Sequence, residues 1–355
     1  MITLKFLLLM QAFTVSSCRF KSDGRSSAAL ARESNTARVS CDGCTNCTQL
    51  ADGSCVKRAA ALSNMKDYHQ LSKDERKLMM ARLRLWAKVV HGKAMNYTCQ
   101  NASVPRPLRQ MGRRGYGTRD ADSWHVCYDG WRPWVDGCTG VSIGIGGEWS
   151  FEDGLAQRIG CRLWAYDPTE QLAASHSKHA EMVSTHYGGR MKFDLIGLGG
   201  EVAQFNTDSR RYGKFDQSKN NIKTLGSILA PLPPIIDVLK IDCEGCEWTS
   251  FTEIAHRQPR LLSRVRMILL EVHSIGRYGM NKVTQVDRLL DFLINVHGFR
   301  VYNTGFNKGW PGARNQIKMP LVQAGFPGMP CCWLLSMMRP PSDTAWLAEG
   351  TALGG

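Results

Sequence analysis

The chain has 355 residues and a mass of 39.6 kDa, enough for two domains or for one large α/β domain with an extension. Hydrophobic residues make up 43% and charged residues 21%, a composition that supports a sizeable core and excludes disorder along the whole chain. The one long apolar run, near the N-terminus, is too short to span a bilayer comfortably, which excludes a polytopic membrane protein.

The net charge of +14 is concentrated before residue 121. Residues 1–120 contain 21 Lys and Arg against 8 Asp and Glu, whereas residues 121–355 contain 24 against 23. A basic arm can bind nucleic acid, acidic glycans or anionic membranes, although its more common role is solvation. We therefore expect a nearly neutral globular body after residue 120 and no nucleic-acid partner.

The first residues have the pattern of a secretory signal peptide. Lys5 precedes an apolar run over residues 6–15, and small residues follow it. We interpret residues 1–18 as the signal, so that the mature chain spans no membrane, whereas an uncleaved signal would leave it membrane-associated. Residues 15–18 also resemble a bacterial lipoprotein cleavage box, which stays open as an alternative.

Glycosylation sequons and cysteines agree with the secretory route. Three sequons begin at Asn46, Asn96 and Asn101. Of the 13 cysteines, four lie within residues 41–55. In a reducing compartment that spacing would suit zinc or an iron–sulfur cluster, but behind a signal peptide we expect local disulfides. The sequence thus predicts a protein of the ER or Golgi lumen, or an extracellular one.

Composition divides the rest of the chain into four segments. Residues 19–63 are rich in Ser, Ala, Arg, Gly and Cys and predict a flexible, Cys-containing stem. Residues 64–120 contain one helix and a basic linker. Residues 121–340 alternate between strands and helices and form the main domain, and residues 341–355 predict a flexible tail.

The helix of the second segment begins with a capping box formed by Ser72 and Glu75. Apolar residues then recur at helical spacing from Leu78 to Val90. We expect this apolar stripe to pack against the main domain, with the binding of a partner as the alternative.

The main domain has the pattern of an α/β fold with a buried, mostly parallel sheet. The predicted strands are residues 141–145, 161–166, 191–196, 235–241, 266–272, 299–303 and 332–337. The predicted helices are residues 150–159 (with a capping box from Ser150 to Asp153), 170–183, 222–229, 247–255 and 283–296. The last two strands have no helix between them and predict an antiparallel hairpin. In such sheets, ligands bind at the carboxyl ends of the strands.

A glycine-rich turn follows the first predicted strand. Residues 144–147 read Gly-Ile-Gly-Gly, and the missing Cβ atoms let a nucleotide-bearing ligand approach the backbone. Asp167 ends the second strand, where it can accept hydrogen bonds from ribose hydroxyls; a solvated Asp after a tight turn is the alternative. A dinucleotide fingerprint needs a third glycine where Trp149 stands, and Glu148 is a poor neighbour for phosphates. S-adenosylmethionine, which has a ribose and no phosphate, fits better.

Acidic residues collect after the fourth and fifth predicted strands. Asp242 and Glu244 follow the fourth, and Glu271 and His273 end the fifth. Such groups are costly to bury unless they face a site. Together they could form a general-base cluster or bind Mg²⁺ or Mn²⁺. Alternatively, Glu247 is a solvated helix residue and His273 a loop histidine with satisfied hydrogen bonds.

Residues 141–151, 166–168, 196–200 and 240–245 resemble the methyltransferase-like protein 24 group, which is related to FkbM-type S-adenosylmethionine-dependent methyltransferases. The resemblance covers residues 124–337. It implies a Rossmann-like seven-strand methyltransferase sheet in the order 3-2-1-4-5-7-6, with the last strand antiparallel.

The resemblance also implies which residues contact the cofactor. They are Gly144, Gly146, Glu148, Asp167, Gly197, Leu198 and Asp242. The first two glycines would line methionine and ribose, Asp167 would bind the ribose hydroxyls, and the turn at 197–199 would border the adenine. Asp242 would lie near the sulfonium. Related enzymes carry an acid where this chain has Ser142, so Glu148 or Asp242 would contact the methionine amine instead.

We therefore hypothesise a methyltransferase of the secretory pathway that acts on a hydroxyl oxygen of a glycan or small acceptor. The base would be Asp242 or His273, with Glu244 as a further catalytic residue. A divalent metal held by Asp242, Glu244, Glu271 and His273 stays possible. The alternatives are a secreted binding module that kept the fold without turnover, and a nicotinamide-dependent oxidoreductase.

Overall fold

The computed structural model describes residues 47–49, 55–57, 68–103 without 94 and 96, 124–129, 137–199, 222–273, 284–307, 321, 323–326 and 332–340. The chain divides into two compact units, Met1–Ala59 and Ala60–Gly355. In the first unit the described residues form an antiparallel pair of strands, Cys47–Gln49 and Cys55–Lys57. The signal, most of the stem, the basic linker and the tail lie outside the described residues, so what we expect of them stays a prediction.

The second unit contains a seven-stranded sheet. Its strands are β1 (Thr139–Ile143), β2 (Arg162–Tyr166), β3 (Met191–Asp194), β4 (Ile236–Ile241), β5 (Val265–His273), β6 (Arg300–Asn307) and β7 (Cys332–Met338). Their order is β6-β7-β5-β4-β1-β2-β3. The order is the predicted one read from the other edge. β1 to β5 pair in parallel, and β7 is antiparallel to both of its neighbours. The predicted Rossmann-like fold is confirmed.

Six helices pack around the sheet. They are α1 (Lys73–Val90), α2 (Ser150–Gly154), α3 (Glu170–His186), α4 (Leu225–Leu229), α5 (Cys246–Arg257) and α6 (Thr284–Leu290) among the described residues. α2 and α6 continue as π-helical turns over Leu155–Ile159 and Asp291–Val296, and 3₁₀ turns occur at Tyr68–Gln70 and Leu261–Arg264. All residues of β4 are buried, as the helices on both faces of a parallel sheet require.

Helix α1 belongs to the core of the second unit. The predicted capping box is present: Ser72 Oγ accepts the Glu75 N–H, and the Glu75 carboxylate accepts the Ser72 N–H. Leu83 is fully buried, and Trp86 Nε1 donates to Asp287 Oδ1 of α6 at 2.8 Å. The expected packing of the apolar stripe against the main domain is thus confirmed.

The predicted capping box at Ser150 is wrong. Helix α2 has Trp149 at its N-cap and no side-chain cap from Ser150 or Asp153. Glu148 Oε1 instead accepts the Ser150 N–H at 2.9 Å. The Asp153 carboxylate is buried against α3 and lies 2.8 Å from His179 Nε2, because a buried carboxylate is more stable beside a potential cation than at an exposed cap.

The helix predicted over residues 222–229 is shorter in the structure. Ile222–Lys223 is a strand that pairs in parallel with Gly197–Leu198. α4 begins only after Thr224, whose Oγ1 accepts the Ser227 N–H at 3.1 Å. An extended N-cap with a side-chain acceptor is the usual helix start, so the preceding residues remain extended. Within the described residues, no helix combines the length and hydrophobicity needed to cross a bilayer.

Candidate active site

The turns after β1 and β4 meet through their backbones. Gly144 has φ of +84°, and an ideal Cβ on it would lie 1.5 Å from the carbonyl oxygen of Asp242. The Asp242 N–H donates to the Ile143 carbonyl at 2.9 Å. Only glycine tolerates both this φ and this approach. The glycine turn and the acidic turn therefore lie side by side at the carboxyl ends of two central strands.

The outer half of the glycine turn presents bare backbone to solvent. Gly146 and Gly147 have φ of 64° and 102°, and both are exposed. The nearest described atom to an added Cβ on Gly147 is Leu172 Cδ1, at 3.7 Å. This part of the turn has the form of a cradle in which a ligand can contact the main chain directly.

Asp167 anchors the glycine turn from β2. Its Oδ2 accepts the N–H groups of Ile145 and Gly146, both at 2.9 Å, and its Oδ1 accepts the Thr169 N–H at 2.8 Å. The residue is 3% exposed, so the alternative of a solvated Asp is wrong. A carboxylate has about four acceptor positions, which leaves one for a ribose hydroxyl.

A buried ion pair between Lys240 and Glu152 supports the glycine turn from the core. Ser142 Oγ donates to Glu152 Oε1 at 2.6 Å, and Lys240 Nζ donates to the same oxygen at 3.1 Å. Lys240 Nζ also donates to the Gly144 carbonyl at 3.1 Å. Related enzymes have an acid at the position of Ser142, and here Glu152 brings a carboxylate to the side of Ser142 instead. Sequence reasoning missed Glu152; a lysine within an apolar strand was the available signal, since a buried ammonium requires a partner.

Trp149 lies in the core rather than over the glycine turn. It is 7% exposed, stacks on His179 with ring centroids 4.7 Å apart, and donates from Nε1 to His176 Nδ1 at 3.0 Å. Both histidines belong to α3. The bulky residue at the third fingerprint position is therefore accommodated by packing against α3.

Three of the expected cofactor contacts have structural partners of their own. Glu148 is half-buried and caps α2, as described above. Gly197 and Leu198 form their short parallel strand, in which Leu198 is fully buried. Leu198 exposes neither its side chain nor its backbone, and the cofactor contacts of all three residues stay predictions.

The acidic turn after β4 contains a strained residue. Glu244 has φ of +55°, the one positive φ among described residues other than glycine. Its side chain is 47% exposed, and that of Asp242 is 28% exposed. Left-handed backbone at a residue with a side chain costs on the order of 1–3 kcal/mol and is concentrated at functional sites. Strain was not visible from the sequence.

His273 is at the centre of the acidic cluster. β5 continues through His273, so Glu271 and His273 point to the same face of the sheet. His273 Nε2 lies 3.8 Å from Asp242 Oδ1 and 3.5 Å from Glu244 Oε2. A Glu271 oxygen lies within 4.8 Å of a His273 ring nitrogen. The structure thus brings together all four residues that the sequence suggested.

Glu247 is a fifth member of the cluster that sequence reasoning missed. It is fully buried, and its Oε1 lies 2.7 Å from the His273 backbone nitrogen, which donates to it, and 3.2 Å from His273 Nδ1. Its Oε2 accepts the Gly245 N–H at 3.0 Å. The reading of Glu247 as solvated, and of His273 as a loop residue, is wrong. No local sequence pattern pairs two residues this far apart.

The cluster shifts the pKa values of Asp242 and His273 from their usual values. Burial raises the pKa of Asp242 to about 6, against the attraction of His273 and Lys240. Burial by itself would lower the pKa of His273, but the charge and hydrogen bond of Glu247 raise it well above its usual value. The two shifts favour the protonated form of His273 and make the carboxylate of Asp242 more basic than usual.

Cysteines near the site are joined in disulfides. Cys243 and Cys246 are bonded across the acidic turn, and Cys243 Sγ lies 3.8 Å from Glu247 Oε2. Cys332, which is near Glu271 and His273, is also disulfide-bonded. These cysteines therefore offer no thiolate to a metal ion. The compact groups of ligand atoms among the described residues include neither Asp242 nor Glu244.

The chain matches the protein family described as "Methyltransferase domain" over residues 59–307, and it belongs to that family. This membership confirms the methyltransferase class that the motifs predicted. A search of curated proteins finds no match.

Several solved methyltransferase structures are similar to this chain at low identity. A Clostridium thermocellum protein assigned as an rRNA-methylase is 12% identical, with a TM-score of 0.32, over 57% of this chain and 87% of its own. The N-terminal domain of human METTL16 in complex with SAH is 13% identical, with a TM-score of 0.30, over 82% and 88%. The plantazolicin methyltransferase BpumL in complex with SAH is 12% identical, with a TM-score of 0.27, over 57% and 76%.

Proposed function

We propose that the protein is an S-adenosylmethionine-dependent methyltransferase of the methyltransferase-like protein 24 group and that it methylates a hydroxyl oxygen. The observation that carries the proposal is the backbone contact between Gly144 and Asp242. It places a glycine cradle and a carboxylate with a raised pKa at the same edge of a methyltransferase sheet.

The glycine turn fits a cofactor that has a ribose. Gly144 and Gly146 would hold it through the main chain, and Asp167 has one acceptor position left for a ribose hydroxyl. When bound, S-adenosylmethionine supplies an activated methyl group. Glu152 and Lys240 act indirectly, because Glu152 holds Lys240 Nζ, which donates to the Gly144 carbonyl.

Asp242 is the base in this proposal. Its carboxylate is ionised above about pH 6, and it takes the proton of the acceptor hydroxyl as that oxygen accepts the methyl group. The raised pKa of His273 favours its protonated form, which is not a base, so of the two candidates from sequence Asp242 is favoured. The imidazolium, held by Glu247, orients Asp242 and stabilises its charge.

The charges around Asp242 favour an acceptor with several hydroxyl groups. Glu244 is exposed beside His273, and a carboxylate there can accept a hydrogen bond from a second hydroxyl. A glycan or a small polyhydroxylated molecule has this chemistry. The signal-peptide pattern, the sequons and the disulfides Cys99–Cys127 and Cys138–Cys161 support an acceptor met in the secretory pathway or outside the cell.

Calorimetry with S-adenosylhomocysteine and with NAD(H), side by side on the full chain, tests the proposal. We expect binding of the first and none of the second. The Asp242→Asn variant should still bind S-adenosylhomocysteine but lose methyl transfer to a panel of glycans and phenols. A folded protein that binds only NAD(H) would identify an oxidoreductase. A protein that binds the cofactor but never transfers methyl groups would identify a binding module.

A further inference from the structure

A disulfide encloses the strained residue of the acidic turn. Cys243 and Cys246 flank Glu244 and Gly245, whose φ values are 55° and 104°. We propose that this disulfide is a redox-sensitive site: oxidised, it holds the acidic turn in the form that assembles the active site, and reduction by a dithiol opens the turn. The inference rests on the proposed function, because it concerns the regulation of that same site.

The bond opposes the preference of the backbone at Glu244. A glutamate leaves left-handed φ readily unless its surroundings over-determine it. Here the two ends of a four-residue segment are joined covalently, and Gly245 is the N-cap of α5. Without the bond, Glu244 can relax to an extended or right-handed conformation, which moves its carboxylate away from His273 Nε2, now 3.5 Å away.

Movement of the turn would reach both halves of the site. On one side, the Asp242 carbonyl packs against Gly144 and fixes the glycine turn. On the other side, Glu247 accepts the Gly245 N–H and holds His273. One bond therefore supports the cofactor cradle, the base and the imidazolium together.

The chemistry of reduction follows from the positions of the two sulfur atoms. Cys246 is the first residue of α5, where the helix dipole stabilises a thiolate, and the Glu247 carboxylate lies 3.8 Å from Cys243 Sγ and within 4.8 Å of Cys246 Sγ. Both cysteines are buried, so an incoming thiolate reaches the bond when the turn opens locally; it would then attack Cys243 and expel Cys246 as the leaving thiolate. The second thiol of the dithiol then displaces the Cys243 sulfur, so that two cysteine thiols and one cyclic disulfide form. Two electrons pass from the dithiol to the protein.

A second disulfide provides a matched control. Cys138 and Cys161 directly precede β1 and β2, at the amino ends of these strands and thus at the opposite edge of the sheet from the acidic turn. Its loss should affect stability without opening the acidic turn.

The test compares the oxidised full-length chain with Cys243→Ser/Cys246→Ser and with Cys138→Ser/Cys161→Ser. We expect the first variant to bind S-adenosylhomocysteine about tenfold more weakly and to show no further response to dithiothreitol. Wild type should weaken equally on mild reduction and recover on reoxidation, with mass spectrometry locating the new thiols at 243 and 246. The control should bind like wild type.

Hydrogen exchange of the peptide spanning residues 242–247, measured without cofactor, separates this proposal from the proposed function. Faster exchange on reduction, in a protein that never binds S-adenosylhomocysteine, would reject the function and keep the redox site. Unchanged exchange and unchanged affinity after reduction of Cys243 and Cys246 would overturn the redox site.

Discussion

Glu247 holds His273 at two points, accepting its backbone N–H at 2.7 Å while lying 3.2 Å from its ring Nδ1. Since both residues are fully or almost fully buried, the carboxylate charge acts on the imidazole with little screening. The outcome is a cation fixed among carboxylates that would otherwise repel one another. A metal ion is one way to offset such repulsion, and an imidazolium is another.

Removal of metal should therefore leave the protein unchanged. We expect EDTA to alter neither the unfolding midpoint nor the affinity for S-adenosylhomocysteine, because His273 already supplies the positive charge. Thermal unfolding and calorimetry with EDTA or with added Mg²⁺ check this. Once an acceptor is known, methyl transfer that stops on chelation would show that the metal is required.

The raised pKa of Asp242 predicts a loss of stability with rising pH. The folded protein binds the Asp242 proton up to about pH 6, whereas the unfolded chain releases it near 3.8. Between these values the folded state holds the extra proton, so the free energy of unfolding should fall by about 2–3 kcal/mol as pH rises from 4 to 6. His273 contributes little to this change, because its pKa lies above this pH range in the unfolded chain and is raised further in the folded protein. Urea unfolding of wild type and Asp242→Asn across this range measures the difference; parallel curves would contradict the assignment. Methyl transfer should rise with pH through the same pKa.

Gly144→Ala should be strongly destabilising. Its Cβ would lie 1.5 Å from the Asp242 carbonyl, so the backbones of two turns must separate while the residue also adopts φ of +84°. We expect a cost of about 3–5 kcal/mol. Gly188→Ala is the control, because φ is +68° there and no described atom lies within 4 Å of the added Cβ. It should cost only about 1–2 kcal/mol. Equal unfolding midpoints for the two variants would refute the contact.

Asp167→Ala should weaken S-adenosylhomocysteine binding by about 1.5–3 kcal/mol, since it removes the acceptor that fixes Ile145 and Gly146 and that, in the proposed function, contacts the ribose. Calorimetry measures the loss. Asp194→Ala is the control: Asp194 ends β3 and makes an ion pair with the exposed Lys192 at 3.0 Å. That change should leave affinity unaltered. Unaltered affinity in a folded Asp167→Ala protein would remove this residue from the cofactor site.

Helix α1 should be indispensable for folding. Trp86→Ala deletes a buried ring and its hydrogen bond to Asp287, with an expected cost of about 3–5 kcal/mol. Leu78→Ala, on the same helix at 60% exposure, should change the free energy of unfolding by less than about 0.5 kcal/mol. Chemical denaturation of both variants measures these free energies of unfolding. A chain that begins at residue 121 lacks α1 and should fail to fold. A Trp86→Ala variant with wild-type stability would show that α1 is peripheral.

The alternation of apolar strands with helices in the sequence predicted the sheet, and the resemblance implied its strand order. A parallel strand buried on both faces, such as β4, has to be apolar along its length, so its position is visible in the chain. The glycine turn and Asp167 were visible for a related reason. A turn at positive φ favours glycine whatever surrounds it. An acid at the end of β2 lies next to that turn because β1 and β2 pair in parallel.

The partners of the buried charges were decided only by the tertiary structure. Glu247 reaches His273 across 26 positions, and Glu152 reaches Lys240 across 88. Each pair forms because two chain segments pack at one distance and angle, which no local pattern of residues encodes. The left-handed conformation of Glu244 was likewise not visible from the sequence. Secondary structure and turns follow from periodicity and steric preference within a few residues, whereas the choice of a buried partner depends on which segments the folded chain brings together.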